Sequence, residues 1–295
     1  MQHPVVVGVD GSPESLAAAD WAAREALRRG LPLRLVHAWE GGSALRSDLP
    51  ELAAPRYWAR DILRGATDRL TERFPRVRLS TEQIARPAPE ALCAAGAESA
   101  LLVLGSRAFS GLGGFLAGSV ALATVAHVTR PVVLVRAGRT GEDEHEPDDA
   151  SRASPHTPYP VVVGVDPAHG CDDLLAFAFE SAALRAAALR VVHVRSLPYA
   201  PSVREAGARH EGRRSTEAAL AGVLAPWRET YPAVRVTAVV EEGRPAQRLL
   251  DRAQDAGLLV VGRRLRPAGI GAHTGPVAHA VLHHAPCPVA VVPHG

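Results

Sequence analysis

A glycine-rich run that ends in Gly118-Ser119 is the part of this sequence best suited to chemistry. It begins at Gly105 and leads directly into a segment with helical character. Glycines let a backbone approach an anion closely, and the N–H groups and dipole at a helix start favour negative charge. Ser119 adds a hydroxyl donor at the same helix start. The run is therefore predicted to hold a phosphate group, with a flexible surface loop as the competing interpretation.

The residues that the chain lacks exclude several enzyme classes. The chain has 33 arginines but no lysine, and it contains no asparagine. A Walker A loop needs a lysine, a protein kinase needs both a lysine and an asparagine, and Schiff-base catalysis needs a lysine amine. The sequence has no Gly-x-Ser-x-Gly nucleophile elbow and no carboxylate pair near the glycine-rich run. We expect ligand binding with slow or no turnover.

Composition is typical of a globular protein with a sizeable core. Hydrophobic residues make up 47% of the chain and the formal net charge is +2, so no strong attraction to nucleic acid or to anionic membranes is expected. No apolar stretch approaches the ~20 residues that span a bilayer. The three cysteines are too few and too scattered for a disulfide framework. These features predict a cytoplasmic protein.

A cluster of His279, His283, His284 and Cys287 resembles a set of metal ligands. His279 and His283 share a helix face, but the glutamate of a His-Glu-x-x-His motif is missing. We interpret the cluster as the packing of a helix end and predict no metal site.

The chain contains an internal repeat, which sets its domain organisation. Val5–Asp10 recurs as Val161–Asp166, and further matches follow in the same order: Gly105 with Gly262, Gly118 with Gly275, and Pro131-Val132 with Pro288-Val289. An acidic stretch without apolar periodicity separates the copies and is typical of a flexible linker, although an acidic docking tail is the alternative. The predicted organisation is a first domain at 1–138, a linker at 139–158 and a second domain at 159–295.

Each copy alternates strand and helix signals and opens with an apolar run of the kind buried on both faces of a parallel sheet. The strands predicted in the first copy are Val5–Val9, Leu33–Ala38, Val77–Ile84, Ala100–Leu104 and Val132–Val135. This order predicts an α/β fold with two tandem Rossmann-like domains, each a five-stranded, parallel, doubly wound sheet. Ligands of such sheets lie beyond the carboxyl ends of the strands, which here are followed by Gly8–Ser12, His37–Trp39 and the run from Gly105.

At these positions the chain resembles the ATP-binding type of the universal stress protein family. Members carry Gly-x2-Gly-x9-Gly-Ser/Thr after the fourth strand and an Asp that closes the first strand. Here the matching residues are Gly105-x2-Ala108-x9-Gly118-Ser119 and Asp10. The resemblance implies an adenine nucleotide alpha hydrolase-like fold, binding of ATP with or without Mg²⁺, and a stress-response or signalling role. Ala108 departs from the motif, and it would cost ~1 kcal/mol if that position needs a positive φ.

The resemblance also implies which residues contact the nucleotide. Asp10 is expected to contact adenosine and the backbone of Ala38 to contact adenine. The other residues expected at the site of the first copy are Gly8, Gly105, Ser106, Arg107, Ala108, Gly118, Ser119 and Val120. A nucleotide-independent interaction scaffold of the same fold is the alternative function. An ATP-consuming enzyme is a third, but its His-x-Gly-His and Ser-Gly-Gly-x-Asp-Ser strings are absent.

The second copy departs further from the motif. Pro276 stands in place of the Ser or Thr and removes both a hydroxyl and a backbone N–H, whereas Arg263 and Arg264 could meet phosphates instead. We therefore expect the first copy to bind ATP more tightly. The candidate residues of the second copy are Gly164, Asp166, Val194, Gly262, Arg263, Arg264, Gly275 and Pro276. The resemblance further implies an intrachain pseudo-dimer through the last strands, which could pair again as a homodimer.

Overall fold

The structure is a computed structural model that describes residues 3–39, 50–106, 118–138, 158–196, 205–265 and 274–295, with the backbone alone described at 50–56 and 205–209. The chain divides into two compact units, Met1–His156 and, for the second, Thr157–Gly271 with Gly275–Gly295. One sequence copy falls in each unit. Arg107, Ala108 and nearly all of the acidic linker lie outside the described residues.

The first unit alternates strands and helices. Its elements are β1 (Val5–Gly8), α1 (Pro13–Arg29), β2 (Leu33–Ala38), α2 (Pro50–Arg73), β3 (Leu79–Ile84), α3 (Ala88–Ala97), β4 (Leu101–Ser106), α4 (Ser119–His127) and β5 (Val132–Arg136). The strands are all parallel in the order β3-β2-β1-β4-β5. The chain therefore runs outward from β1 in one direction and then, from β4, in the other. This reversal places the topological switch point between β1 and β4.

The second unit has the same plan. Its elements are β6 (Val161–Gly164), α5 (Asp172–Leu184), β7 (Leu189–Arg195), α6 (Glu205–Thr230), β8 (Val236–Glu242), α7 (Pro245–Arg252), β9 (Leu258–Arg264), α8 (Pro276–His284) and β10 (Val289–His294). Its parallel order is β10-β9-β6-β7-β8. The predicted α/β class, with two parallel, doubly wound sheets, is confirmed. Pairing between the last strands of the two copies stays a prediction.

Local signals account for most element boundaries. Helix α1 begins at Pro13 after the cap Ser12, whose side chain accepts a hydrogen bond from the Ser15 amide, and it ends at Gly30 with φ 63°. The residues of β1 from Val5 to Val7 are fully buried, as their continuous apolar run predicts. Strand β4 extends two residues beyond the prediction, so Gly105 and Ser106 belong to the strand and not to the loop. No helix of the described segments is both long and apolar enough to cross a bilayer.

Candidate functional site

The first unit contains a cavity of about 310 Å³ at the carboxyl edge of its sheet. It lies at the switch point, where the ends of β1, β2 and β4 meet the first turns of α1, α3 and α4. Seven of the predicted residues line it: Gly8, Asp10, Ala38, Gly105, Gly118, Ser119 and Val120. Ser106 is buried and does not line it, and Arg107 and Ala108 lie outside the described residues.

The lining has an apolar side and a polar side. Strand β2 and helix α3 contribute Val36, Ala38, Ala88 and Leu92, and β4 adds Leu104. The start of α1 and the start of α4 contribute hydroxyl, carboxylate and backbone amide groups. A flat apolar ring and an attached anionic group could therefore be bound by different walls of the same cavity.

Gly105 and Gly118 of the site differ in the space around them. A Cβ added at Gly105 would lie 2.6 Å from the carbonyl carbon of Glu14 and 2.7 Å from the Ser15 amide nitrogen. Glycine is thus required there because β4 packs directly on the first turn of α1. A Cβ at Gly118 would meet no described atom within 4 Å, and Gly118 has φ −56°. Gly118 therefore needs no positive φ, and the space beside it is open to a ligand.

The N-terminus of α4 offers backbone donors to the cavity. Gly118 is its N-cap and supplies no side-chain hydrogen bond. The first backbone bond of the helix runs from the Leu122 amide to the Gly118 carbonyl at 3.0 Å. The amides of Ser119, Val120 and Ala121 consequently have no partner within the helix. Together with the helix dipole, these amides form an anion-binding geometry.

Hydrogen bonds hold Asp10 at the edge of the cavity. Its carboxylate accepts from the Ser12 amide at 3.0 Å and from the Ser12 hydroxyl. The Asp10 amide donates to the Ser15 hydroxyl at 3.2 Å, and that hydroxyl donates to the Ser12 carbonyl at 2.9 Å. The cap of α1 and the placement of Asp10 are therefore parts of one network.

Sequence reasoning missed several residues of the cavity. Glu14, Ser15 and His37 line it but were not among the predicted contacts. The Nδ1 atom of His37 lies 2.7 Å from the Val9 carbonyl oxygen. A carbonyl oxygen only accepts, so the Nδ1 atom of His37 carries the proton of this hydrogen bond. His37 is the second-last residue of β2, and this position near the carboxyl end of the strand was the signal that could have identified it.

The corresponding edge of the second unit is built differently. Helix α5 begins six residues after Asp166, whereas α1 begins three residues after Asp10. Asp166 accepts hydrogen bonds from His169 Nδ1 at 2.7 Å and from the Ala168 amide at 3.2 Å. Partial burial raises the pKa of the Asp166 carboxyl, but these hydrogen bonds and the nearby imidazoles outweigh burial and lower the pKa below its usual range.

The imidazole of His294 occupies the space beside Gly262 in the second unit. In the first unit, the backbone at the start of α1 occupies the corresponding space beside Gly105. A Cβ at Gly262 would lie 2.6 Å from His294 Nε2, whereas the equivalent Gly105 faces the backbone of α1. The Nδ1 atom of His294 is buried and has no hydrogen-bond partner among the described atoms.

The two arginines predicted for the site of the second copy differ in burial. Arg263 is buried and Arg264 is exposed, because successive residues of β9 point to opposite faces of the sheet. Burial also lowers the pKa of the Arg263 guanidinium.

The start of α8 has fewer donors than the start of α4. Pro276 is its first residue and has no N–H, and the first backbone bond runs from His279 to Gly275 at 2.9 Å. Only Val277 and Ala278 can supply amides there. Gly275 has φ 79°, a conformation that favours glycine, in contrast to Gly118.

The histidines of α8 form a close pair. The Nε2 atoms of His279 and His283 are 3.3 Å apart, and His283 is buried. Within the described segments, no group of three or more His, Cys, Asp or Glu side chains is arranged to hold a metal ion.

Comparison with known proteins identifies the family. The model of the universal stress protein family matches residues 1–136 and 159–293. A universal stress protein of Mycobacterium tuberculosis is 33% identical over 300 residues, covering 98% of this chain and 97% of that protein. A relative from Mycolicibacterium smegmatis is 30% identical over 304 residues, covering 99% and 97%. The crystal structure of a universal stress protein from Archaeoglobus fulgidus covers 99% of this chain and 98% of its own with a TM-score of 0.67 at 14% identity, which shows the shared fold alone. The chain belongs to the universal stress protein family.

Proposed function

We propose that the first unit binds ATP and that the chain acts as a stress-response or signalling module, in which nucleotide occupancy changes conformation or partner choice. The observation that carries this proposal is the start of α4, where uncapped backbone amides open onto a cavity with an apolar wall. Few ligands other than nucleotides combine a flat ring with a multiply charged anion. The family membership agrees with this function.

In the proposed complex, the adenine lies against the apolar wall formed by β2, α3 and Leu104. The ribose hydroxyls donate to the carboxylate of Asp10, which its own turn already holds in place. The phosphates accept from the amides of Ser119, Val120 and Ala121. Mg²⁺ prefers oxygen ligands, and Glu14 and Ser119, which line the cavity, would supply a carboxylate and a hydroxyl to hold it.

We further propose that turnover is slow or absent. The carboxylates that line the cavity are those of Asp10 and Glu14. Asp10 already accepts from the Ser12 amide and hydroxyl, which leaves it poorly suited to activate a water molecule. A phosphate-release assay tests this part of the proposal. Sustained release that Glu14→Gln abolishes would identify the chain as an ATPase instead.

The decisive experiment is mass spectrometry of small molecules released from the purified, denatured chain, followed by calorimetric titration with ATP. We expect an adenine nucleotide to co-purify and to bind with about one tight site per chain, because the start of α8 offers fewer donors than the start of α4. Recovery of no nucleotide, together with no heat of binding, would favour the nucleotide-independent scaffold.

The remaining parts of the proposal concern the localisation of the chain, its partners and the pairing of its two units. We propose a cytoplasmic protein without nucleic-acid or membrane partners, as its near-neutral charge suggests. The last strands β5 and β10 would form the intrachain pseudo-dimer. A disulfide between cysteines introduced at opposed positions of β5 and β10 tests that pairing.

A further inference from the structure

Strand β8 presents an open edge in the second unit. It pairs with β7 on one side, and no described residue pairs with its other side. The Leu189 amide donates to the Arg235 carbonyl at 2.8 Å, and the Gly243 amide donates to the Arg195 carbonyl at 3.0 Å. Alternate residues of a strand bond to the same neighbour, so the odd-numbered residues of β8 face β7. The N–H and C=O groups of Val236, Ala238 and Val240 consequently face outward.

The outward groups lie in a groove and not on an open surface. Val240 is only 6% exposed although it belongs to an edge strand. A groove of about 750 Å³ follows the edge, with Leu220 and Ala221 of α6 on one wall and Arg248 and Arg252 of α7 on the other. Arg248 Nε already donates to the outward carbonyl of Glu242 at 3.3 Å. The amides and carbonyls of Ala238 and Val240 remain as backbone groups that a further strand would satisfy.

The equivalent edge of the first unit has different residues. Strand β3 bonds to β2 in the same way, because the Leu33 amide donates to the Arg78 carbonyl at 2.9 Å. Its outward residues are therefore Leu79, Thr81 and Gln83, of which Thr81 is exposed. The same positions in β8 are Val236, Ala238 and Val240. Two of these three outward positions are therefore polar in β3, whereas all three are apolar in β8.

We propose that the open edge of β8 joins two copies of this chain by antiparallel pairing across a two-fold axis. In the matching register, Ala238 lies opposite Ala238 of the partner copy and Val236 lies opposite Val240. The same register places Arg235 opposite Glu241, a carboxylate that Arg252 already holds at 2.6 Å. Such a pairing is self-complementary, as a two-fold interface requires, and it combines a β-branched pair with an opposite-charge pair.

The neighbouring register fits less well. A shift of two residues sets Glu242 opposite Val236 and Glu241 opposite Thr237, which loses the charge pair and places a carboxylate beside an apolar side chain. The Arg235–Glu241 pair therefore supports a second copy as the occupant of the groove and favours the matching register over this one.

The first test is the mass of the full chain in solution, measured by light scattering over a concentration series. Wild type is expected at twice the chain mass of 31.1 kDa. Ala238→Pro removes only an outward N–H and so preserves the pairing with β7, and it should weaken the dimer by about tenfold or more. Thr81→Pro makes the same change at the equivalent position of β3 and should leave the dimer intact. A wild-type monomer, or identical behaviour of both variants, would overturn the proposal.

Two further variants, Arg235→Glu and Ala238→Cys, test the interface independently in case Ala238→Pro does not fold. Arg235→Glu should weaken the dimer because it places like charges opposite each other, whereas the matched Arg78→Glu should not. Under mild oxidation, Ala238→Cys should form an interchain disulfide, because directly opposed residues lie within disulfide reach. Crosslinking of Val239→Cys in place of Ala238→Cys would refute the register.

Discussion

Replacing Ser119 by proline gives α4 the same first residue as α8, which begins with Pro276. The structure predicts that the change is compatible with folding. Ser119 is the first residue of α4, a position that proline favours, and the preceding Gly118 has φ −56° and ψ 152°, the extended conformation that a residue before proline requires. Stability should therefore change by no more than about 0.5 kcal/mol.

The effect on binding follows from the donors that are lost. Proline removes the Ser119 amide and hydroxyl from the cavity and leaves the amides of Val120 and Ala121 in place. A hydrogen bond to a charged group contributes ~1.5–3 kcal/mol, so the loss of one such bond weakens ATP binding about tenfold or more, and the loss of two weakens it further. Ser119→Ala removes the hydroxyl alone. The difference between the two variants measures the contribution of the amide.

Calorimetric titration of the full chain with ATP, with thermal unfolding as the control for folding, makes this measurement. The reciprocal change Pro276→Ser restores a donor at α8 and should strengthen binding in the second unit. An affinity of folded Ser119→Pro equal to that of wild type would refute the role assigned to the start of α4.

Three further predictions concern other parts of the two sites. Asp10→Ala should weaken ATP binding about tenfold, through the loss of a charged partner for the ribose, and an unchanged titration would place the nucleotide elsewhere. Gly105→Ala should destabilise the fold by ~1–3 kcal/mol in urea unfolding, because its Cβ would strike the rigid backbone of α1, whereas Gly118→Ala should leave stability nearly unchanged. The lowered pKa of Asp166 contributes stability above about pH 4 that is lost as the pH falls through the folded-state pKa. Asp166→Asn should therefore be less stable than wild type at neutral pH and approach it in acid, and a gap that persists at pH 2 would contradict this linkage.

The sequence by itself determined the repeat, the order of elements and the edge of the sheet where a cavity lies. These features are local: continuous apolar runs predict buried parallel strands, and the Ser12-Pro13 and Gly30 signals bound α1 because caps act on adjacent backbone groups. The rule that ligands lie at the switch point then identified the edge where the cavity is found. The glycine-rich run also pointed correctly to the helix start at Ser119, since a helix terminus exposes its amides whatever surrounds it.

Only the tertiary structure decided what fills the space around those residues. The need for glycine at Gly105 comes from the backbone of Glu14, far away along the chain, and His294 takes the equivalent place beside Gly262. The pleat of β9 sends Arg263 and Arg264 to opposite faces, which residue type and proximity in sequence do not reveal. Strand order and register bring distant side chains together, and they depend on packing among all the elements of a unit. The two copies therefore share a motif and a fold, while the contacts that would make them functionally unequal are set by the packing of each unit.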